Sequence, residues 1–206
     1  LAEQFRPSID WRRCRFSWLG PDLRLHAFTF LFKESPHGLF QVHAYPFDAG
    51  HSTFIVEAHE RVWQAAGLDQ ADEAATVEYV SRLFAPELRG HRLLANRSIW
   101  RAFPTVRNER WWHGNLVLLG DAAHPMTQYM AQGAASAMED AILLSRCIEA
   151  AHSDFPAAFR RYEAVRRERT ARIQGTSQQN TFMRLPTDPS WVYGYDAWTA
   201  PLPEYA

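Results

Sequence analysis

The sequence predicts an α/β protein of the α+β kind, in which an antiparallel or mixed sheet is followed by long helices. Three observations predict this fold class. The first third of the chain holds three runs rich in aromatic and β-branched residues, separated by turn-like stretches. A compact apolar run at 115–119 ends at Gly120 and Asp121. Two helical patterns follow, over 133–151 and from 155 to about 174.

The composition excludes several classes of protein. The 206 residues are 47% hydrophobic and 22% charged, which is ordinary for a globular chain that buries a core. A formal net charge of -1 argues against general nucleic-acid binding and against a polybasic membrane-surface protein. No apolar stretch approaches the roughly 20 residues that a membrane-spanning helix needs. The two cysteines lie far apart, so no disulfide framework is expected. No paired Cys/His spacing occurs in the sequence, so no metal site is expected. We expect a cytoplasmic protein.

The three predicted strands cover 27–34, 39–47 and 52–59. In the middle strand, side chains alternate between two faces of the sheet. Phe40, Val42 and Ala44 make one face plain core, whereas the other mixes aromatic residues with Gln41 and His43. The mixed face is typical of a wall that meets a ligand.

The elements between this sheet and the apolar run are shorter. Helices are predicted near 60–66 and over 71–84, followed by a strand at 98–103 that ends at Pro104. The run at 115–119 lacks polar alternation, so it predicts a strand buried on both faces.

The two long helices carry different patterns. The first places Met138 and Ile148 near its predicted apolar face. The second carries a run of arginines, which we interpret as a solvated face because Glu163 and Arg167 have the spacing of an i,i+4 ion pair. The tail after residue 181 is rich in proline and aromatic residues and predicts extended chain.

The segment 115–141 carries the chemistry. It is a predicted strand, an acidic residue at the strand's carboxyl end, an irregular loop, and Gly133 opening a helix. Ligands favour the carboxyl ends of strands, and a helix N-terminus offers unpaired N–H groups. Asp121 could accept hydrogen bonds from sugar or polyol hydroxyls, and the small Ala134 and Ala135 would let a flat ring approach. The alternative is a tight turn in which Asp121 caps a neighbouring helix.

The same segment resembles a known family. Residues 120–125 (GDAAHP), 132–133 (QG) and 139–141 (EDA) resemble the second flavin-binding motif of single-component, group A, FAD-dependent aromatic hydroxylases. The stretches 43–57 and 96–100 resemble the branch that hydroxylates salicylyl-CoA and related substrates. The loop 125–134 and the tail 191–198 resemble instead the salicylate and 3-hydroxybenzoate hydroxylases, which leaves the substrate open.

The resemblance implies a cofactor site for FAD. Asp121, after Gly120, would bind the ribityl chain. Pro125 would run along the isoalloxazine ring. The backbone N–H groups of Ala134 and Ala135, after Gly133, would face the flavin N1 and C2 carbonyl. The implied fold is a substrate-domain sheet joined to the C-terminal part of a Rossmann-like FAD-binding domain.

The resemblance also implies a reaction. NAD(P)H reduces FAD, O2 forms a flavin C4a-hydroperoxide, and its distal oxygen attacks a phenolic or other electron-rich ring, free or CoA-linked. Gln128 is the first candidate for orienting the substrate hydroxyl, His43 is the second, and Tyr129 would line the cavity. No nucleic acid or membrane partner is expected, whereas a homodimer is possible. The alternatives are a related flavoprotein oxidoreductase with different chemistry, or a non-catalytic binding module that lacks flavin.

The family's opening G-x-G-x-x-G turn, which holds the pyrophosphate, is absent from the sequence. We therefore expect the chain, which begins at Leu1, to be the C-terminal half of a hydroxylase and to be inactive alone. Three segments are expected: a substrate-sheet portion at 1–109, an FAD-contacting strand, loop and helix at 110–152, and an interface helix with an aromatic tail at 153–206.

Overall fold

The computed structural model describes residues 2–152, 154–180, 182 and 185–204. Leu1 and Ser153, which begin two of the expected segments, and the tail residues 181, 183, 184, 205 and 206 lie outside the described residues. The helices are α1 (Ala2–Phe5), α2 (Glu60–Ala65), α3 (Glu73–Leu83), α4 (Ala85–Leu88), α5 (Gly133–Ala150), α6 (Phe155–Gln179) and α7 (Ser190–Tyr193). The strands are β1 (Pro7–Pro21), β2 (Thr29–Ser35), β3 (Gly38–Pro46), β4 (Ser52–His59), β5 (Leu93–Ala95), β6 (Arg101–Asn108), β7 (Trp112–His113) and β8 (Leu116–Val117).

The chain forms two compact units. The first combines Leu1–Trp11 with Pro104–Ala206, and the second is Arg12–Phe103. The strands β1 and β6 each continue from one unit into the other. The three expected segments are defined by their proposed roles, whereas these two units are defined by compactness. The division into three segments therefore stays a prediction.

The unit Arg12–Phe103 is built on a sheet that contains the three predicted strands together with β1 and β5, which were not predicted. Its strand order is β2-β3-β4-β1-β5, and the strands at 29–35, 38–46 and 52–59 lie where the sequence predicts them. Neighbouring strands are antiparallel, with Val42 opposite Leu31 and Val56. Phe40, Val42 and Ala44 are fully buried in one core cluster with Val80 of α3 and Phe84, which follows α3, so the predicted core face is confirmed.

The predicted strand end at Pro104 is wrong, because β6 continues through this proline to Asn108. Proline lacks the N–H that a ladder needs and is therefore tolerated on a strand with one open edge. Among the described strands, β6 pairs only with β1. Pro104 consequently does not end the strand.

The run at 115–119 is also not the buried strand that its pattern predicts. β8 holds only Leu116 and Val117, and it pairs with β7 in a two-stranded sheet. Leu116 is 50% exposed and Leu119 is 39% exposed. Val117 and Leu118 do pack against a core cluster, so within the described residues only one side of the run is covered.

The two long helices form as predicted, but their buried faces differ from the prediction. In α5 the buried residues are Ser136, Asp140, Leu143 and Cys147, whereas Met138 is 62% exposed. In α6 the predicted Glu163–Arg167 ion pair forms, but Arg166 is fully buried rather than solvated. The pattern fails because a buried Asp and a buried Arg neutralise each other across the two helices. No helix within the described ranges is long and apolar enough to cross a membrane.

Candidate cofactor-contacting site

A tight turn follows β8 at the glycine of the motif. Gly120 has φ +56°, in the left-handed region that favours glycine. Its carbonyl accepts from the amides of Ala123 and His124 at 3.0 and 2.9 Å, and its own amide donates to Asp140 Oδ2 at 2.8 Å. A Cβ at this position would lie 3.1 Å from the Cβ of Ala137. The turn therefore needs glycine both for its backbone angle and for its approach to α5.

The turn presents Asp121 to solvent beside the start of α5. An ideal Cβ built on Gly133 would lie 4.0 Å from Asp121 Oδ1. The Asp121 side chain is exposed, and within the described residues it makes no hydrogen bond or ion pair. The alternative in which Asp121 caps a helix therefore has no hydrogen bond to support it.

The N-terminus of α5 is open as well. Gln132 occupies the cap position, but its side chain caps no helix amide and donates instead to the Met130 carbonyl at 3.3 Å; its own carbonyl accepts from the Ser136 amide at 2.9 Å. The amides before Ser136 have no partner one turn back in the helix. Ala134 is exposed and Ala135 is partly buried, so this helix end can meet a ligand.

The loop between the turn and α5 contains the two predicted substrate-facing residues of this unit. Gln128 and Tyr129 are half-buried in a 3₁₀ turn that ends at buried Met130. Ala131 follows with φ +52°, an uncommon conformation for alanine. Sparsely populated backbone conformations of this kind cluster at functional sites.

Polar side chains hold the loop from two other elements. Asn108 Nδ2, at the end of β6, donates to the carbonyls of Ala122 and Ala123 at 3.0 and 2.8 Å. Gln174 Nε2, in α6, donates to the carbonyl of Pro125 at 2.7 Å. Ser177 Oγ, one turn further along α6, donates to the carbonyl of Thr127 at 2.7 Å.

These anchoring residues were not predicted from the sequence. The sequence pattern that could have identified those in α6 is a row of polar residues at helical spacing. All of them are buried: Arg166, Thr170, Gln174 and Ser177. Polar residues repeating on the buried face of a helix must find partners, because an unpaired buried polar group is costly. For Asn108 the sequence carries no comparable signal.

A buried charge network lies beneath the turn. Asp140 accepts from the Gly120 amide, from Arg166 Nε at 2.6 Å, and contacts His124 Nε2 at 2.6 Å. Asp140 and Arg166 are both fully buried, and His124 is 3% exposed. Burial opposes the charge of Asp140, but the hydrogen bond to His124 and the positive charge of Arg166 outweigh it and lower the pKa of this carboxyl.

The structure brings together the predicted cofactor residues Gly120, Asp121 and Gly133. Pro125, Gln128, Tyr129, Ala134 and Ala135 belong to the same compact unit. His43 belongs to the other unit, on β3, where it is 4% exposed. Its ring stands nearly perpendicular to the Phe30 ring, with 5.0 Å between the two ring centroids.

Known proteins similar to this chain include hydroxylases and an oxygenase that act on aromatic compounds. The salicyloyl-CoA 5-hydroxylase of a Streptomyces species is 37% identical over 186 residues, which cover 86% of this chain and 36% of that protein. The 3-hydroxybenzoate 6-hydroxylase of Polaromonas naphthalenivorans is 31% identical over 206 residues, covering 98% of this chain and 46% of that protein. The tetrameric form of 2-methyl-3-hydroxypyridine-5-carboxylic acid oxygenase aligns with a TM-score of 0.69 and 21% identity, covering 89% of this chain and 50% of that one.

These comparisons confirm the predicted fold class, and both branches of the predicted resemblance occur among the relatives. The chain spans half or less of the length of the proteins it matches. The family described as FAD binding domain matches residues 22–179, most of the sequence. This chain therefore belongs to the FAD binding domain family, and its relatives are aromatic hydroxylases, as its glycine–aspartate motif predicts.

Proposed function

We propose that this chain supplies the flavin-facing and substrate-facing parts of an FAD-dependent monooxygenase that hydroxylates a phenolic or other electron-rich aromatic ring, with NAD(P)H as co-substrate. Its family and the names of its relatives support the class of reaction. A cytoplasmic location belongs to the same proposal, because NAD(P)H is a cytoplasmic reductant.

One observation carries the proposal: the exposed Asp121 carboxylate, without a partner in the described residues, lies beside an uncapped helix N-terminus. A carboxylate is a strong acceptor for the hydroxyls of a ribityl chain. The helix end favours negative charge by about 0.3–1 kcal/mol, and up to about 2 kcal/mol where it is partly buried. The residues present thus fit the flavin end of FAD. The sequence contains no G-x-G turn for the pyrophosphate.

Within this proposal each residue has a limited task. FAD, when bound and reduced, supplies the activation of O2. Asp121 binds the ribityl hydroxyls, and the amides of Ala134 and Ala135 face the polar edge of the ring. Gln128 orients the substrate hydroxyl by hydrogen bonding, Tyr129 lines the cavity, and His43 is the second candidate for contact with that hydroxyl. Exclusion of water from the ring protects the oxygenation step.

The test is a coupled assay on the full-length protein with salicylate and 3-hydroxybenzoate. We expect substrate-dependent NAD(P)H oxidation and a hydroxylated product. Gln128→Ala should lower the product formed per NAD(P)H by about tenfold, because a positioning hydrogen bond contributes roughly 1–1.5 kcal/mol. Gln178→Ala, in α6, is the control. Unchanged coupling in Gln128→Ala would remove Gln128 from the site, and NAD(P)H oxidation without any hydroxylated product would contradict the function.

A further inference from the structure

The buried network beneath Gly120 continues beyond Asp140 to the aromatic tail. Arg166 Nη1 lies 2.7 Å from Glu139 Oε2. Arg169 also binds Glu139, with its Nε donating to Oε2 at 2.8 Å and its Nη2 donating to Oε1 at 2.7 Å. The four charges alternate in sign from Asp140 to Arg169. Each is therefore positioned by its neighbours.

Arg169 is also the point at which the tail is fixed. Its guanidinium donates to the carbonyl of Trp191 at 2.8 Å and to that of Val192 at 3.0 Å. The ring of Tyr195 lies 3.8 Å from the guanidinium carbon, within the range of a cation–π contact. Arg169 is only 10% exposed, so these contacts are made with little competition from water.

We propose that Arg169 and Tyr195 are positioning residues of the cofactor site. They couple the position of the 190–200 tail to that of the turn that carries Asp121. The connection runs from the tail carbonyls through Arg169, Glu139, Arg166 and Asp140 to the Gly120 amide. It rests on the proposed binding of FAD at Asp121.

The physical basis is competition for Arg166. Arg166 is shared between Glu139 at 2.7 Å and Asp140 at 2.6 Å. While Arg169 neutralises Glu139, Arg166 can hold Asp140 in the position that accepts from Gly120. Without Arg169, Glu139 carries an unbalanced charge and draws Arg166 away from Asp140. The turn before Asp121 then loses its fixed acceptor.

A matched control is available on the same helix. The guanidinium carbon of Arg172 lies 3.9 Å from the ring centroid of Trp191 in the tail, the same kind of contact as that of Arg169 with Tyr195 at 3.8 Å. Arg172 makes no ion pair to Glu139 among the described residues. Loss of Arg172 therefore removes one aromatic contact of the tail, while Arg169 still holds the Trp191 and Val192 carbonyls and the charge network stays intact.

The experiment measures FAD affinity and the visible absorption spectrum of bound flavin in the full-length protein. Arg169→Met should weaken FAD binding by about three- to tenfold and alter the flavin spectrum, since residues along a coupling network modulate binding at a site they do not touch. Arg169→Lys, which keeps the charge opposite Glu139 and so preserves the fold, should fall between Arg169→Met and the unmodified protein. Tyr195→Leu should resemble Arg169→Lys, and Arg172→Met should resemble the unmodified protein.

The outcomes separate this inference from the proposed function. If Asp121→Ala weakens FAD binding but Arg169→Met and Arg169→Lys leave both affinity and spectrum unchanged, the connection to the tail is wrong and the cofactor site stands. If Arg172→Met acts as strongly as Arg169→Met, the tail has only a general structural role, and the inference fails. If Asp121→Ala has no effect either, the cofactor site itself is misassigned.

Discussion

Gly120 shows how one residue joins the motif to the fold. Its positive φ and its approach to Ala137 both require the absence of a Cβ, while its amide is held by Asp140. The glycine–aspartate pair was recognisable from the sequence as a motif. The contact with Ala137 was not, because it depends on where the helix axis lies relative to the turn.

Gly120→Ala should lower the free energy of unfolding by about 2–4 kcal/mol, because strain at φ +56° and overpacking against Ala137 add. Gly114→Ala is the matched control, since Gly114 has the same φ of +56° and no atom within 4 Å of an added Cβ. It should cost only the backbone strain, about 1 kcal/mol. Urea unfolding measures both. Equal losses would mean that the approach to Ala137 carries no energy.

At the scale of elements, the sheet was the most predictable part. In β3, Phe40, Val42 and Ala44 alternate with Gln41 and His43, and a period of two leaves a single assignment of faces. The helices α5 and α6 were predictable in extent but not in orientation. Their buried faces include Asp140 and Arg166, whose burial a hydrophobicity pattern predicts to be unfavourable. The partner of each charge lies on another helix, and spacing along one sequence does not reveal it.

Arg166→Met should lower the free energy of unfolding by about 3–5 kcal/mol, because it leaves Asp140 charged and buried without the arginine that pairs with it. The double variant Asp140→Asn with Arg166→Met should cost less than the sum of its two single variants, since the uncompensated charge is removed. Arg160→Met, at an exposed position of the same helix, should stay within about 1 kcal/mol. Chemical denaturation gives all four values, and strictly additive losses would contradict a coupled pair.

The lowered pKa of Asp140 predicts an acid-dependent stability. A carboxyl whose pKa is lower in the folded state stabilises the protein above its unfolded value, here 3.8, and this contribution is lost as the pH falls through the folded value. Urea midpoints measured between neutral pH and pH 2 should therefore fall more steeply below pH 3.8 for the unmodified chain than for Asp140→Asn. Parallel profiles would show that Asp140 does not couple folding to protonation.

For the whole molecule, the central question is how much of a cofactor site this chain holds. It spans 36% and 46% of two aromatic hydroxylases, and it contains no glycine-rich turn for a pyrophosphate. In the proposed site, the helix end and Asp121 would contact only the ribityl and ring portions of FAD. We therefore expect the 206 residues by themselves to retain little flavin.

Titration of the full-length protein with FAD, comparing Asp121→Ala with the unmodified protein, is the most direct test of the proposed cofactor site. Asp69→Ala, which removes another exposed aspartate in the other compact unit, is the control. We predict that Asp121→Ala raises the Kd for FAD by about tenfold or more, because hydrogen bonds to a charged group contribute about 1.5–3 kcal/mol, and that Asp69→Ala leaves it unchanged. An Asp121→Ala protein that binds FAD as tightly as the unmodified protein would contradict the assignment of this turn as the cofactor site.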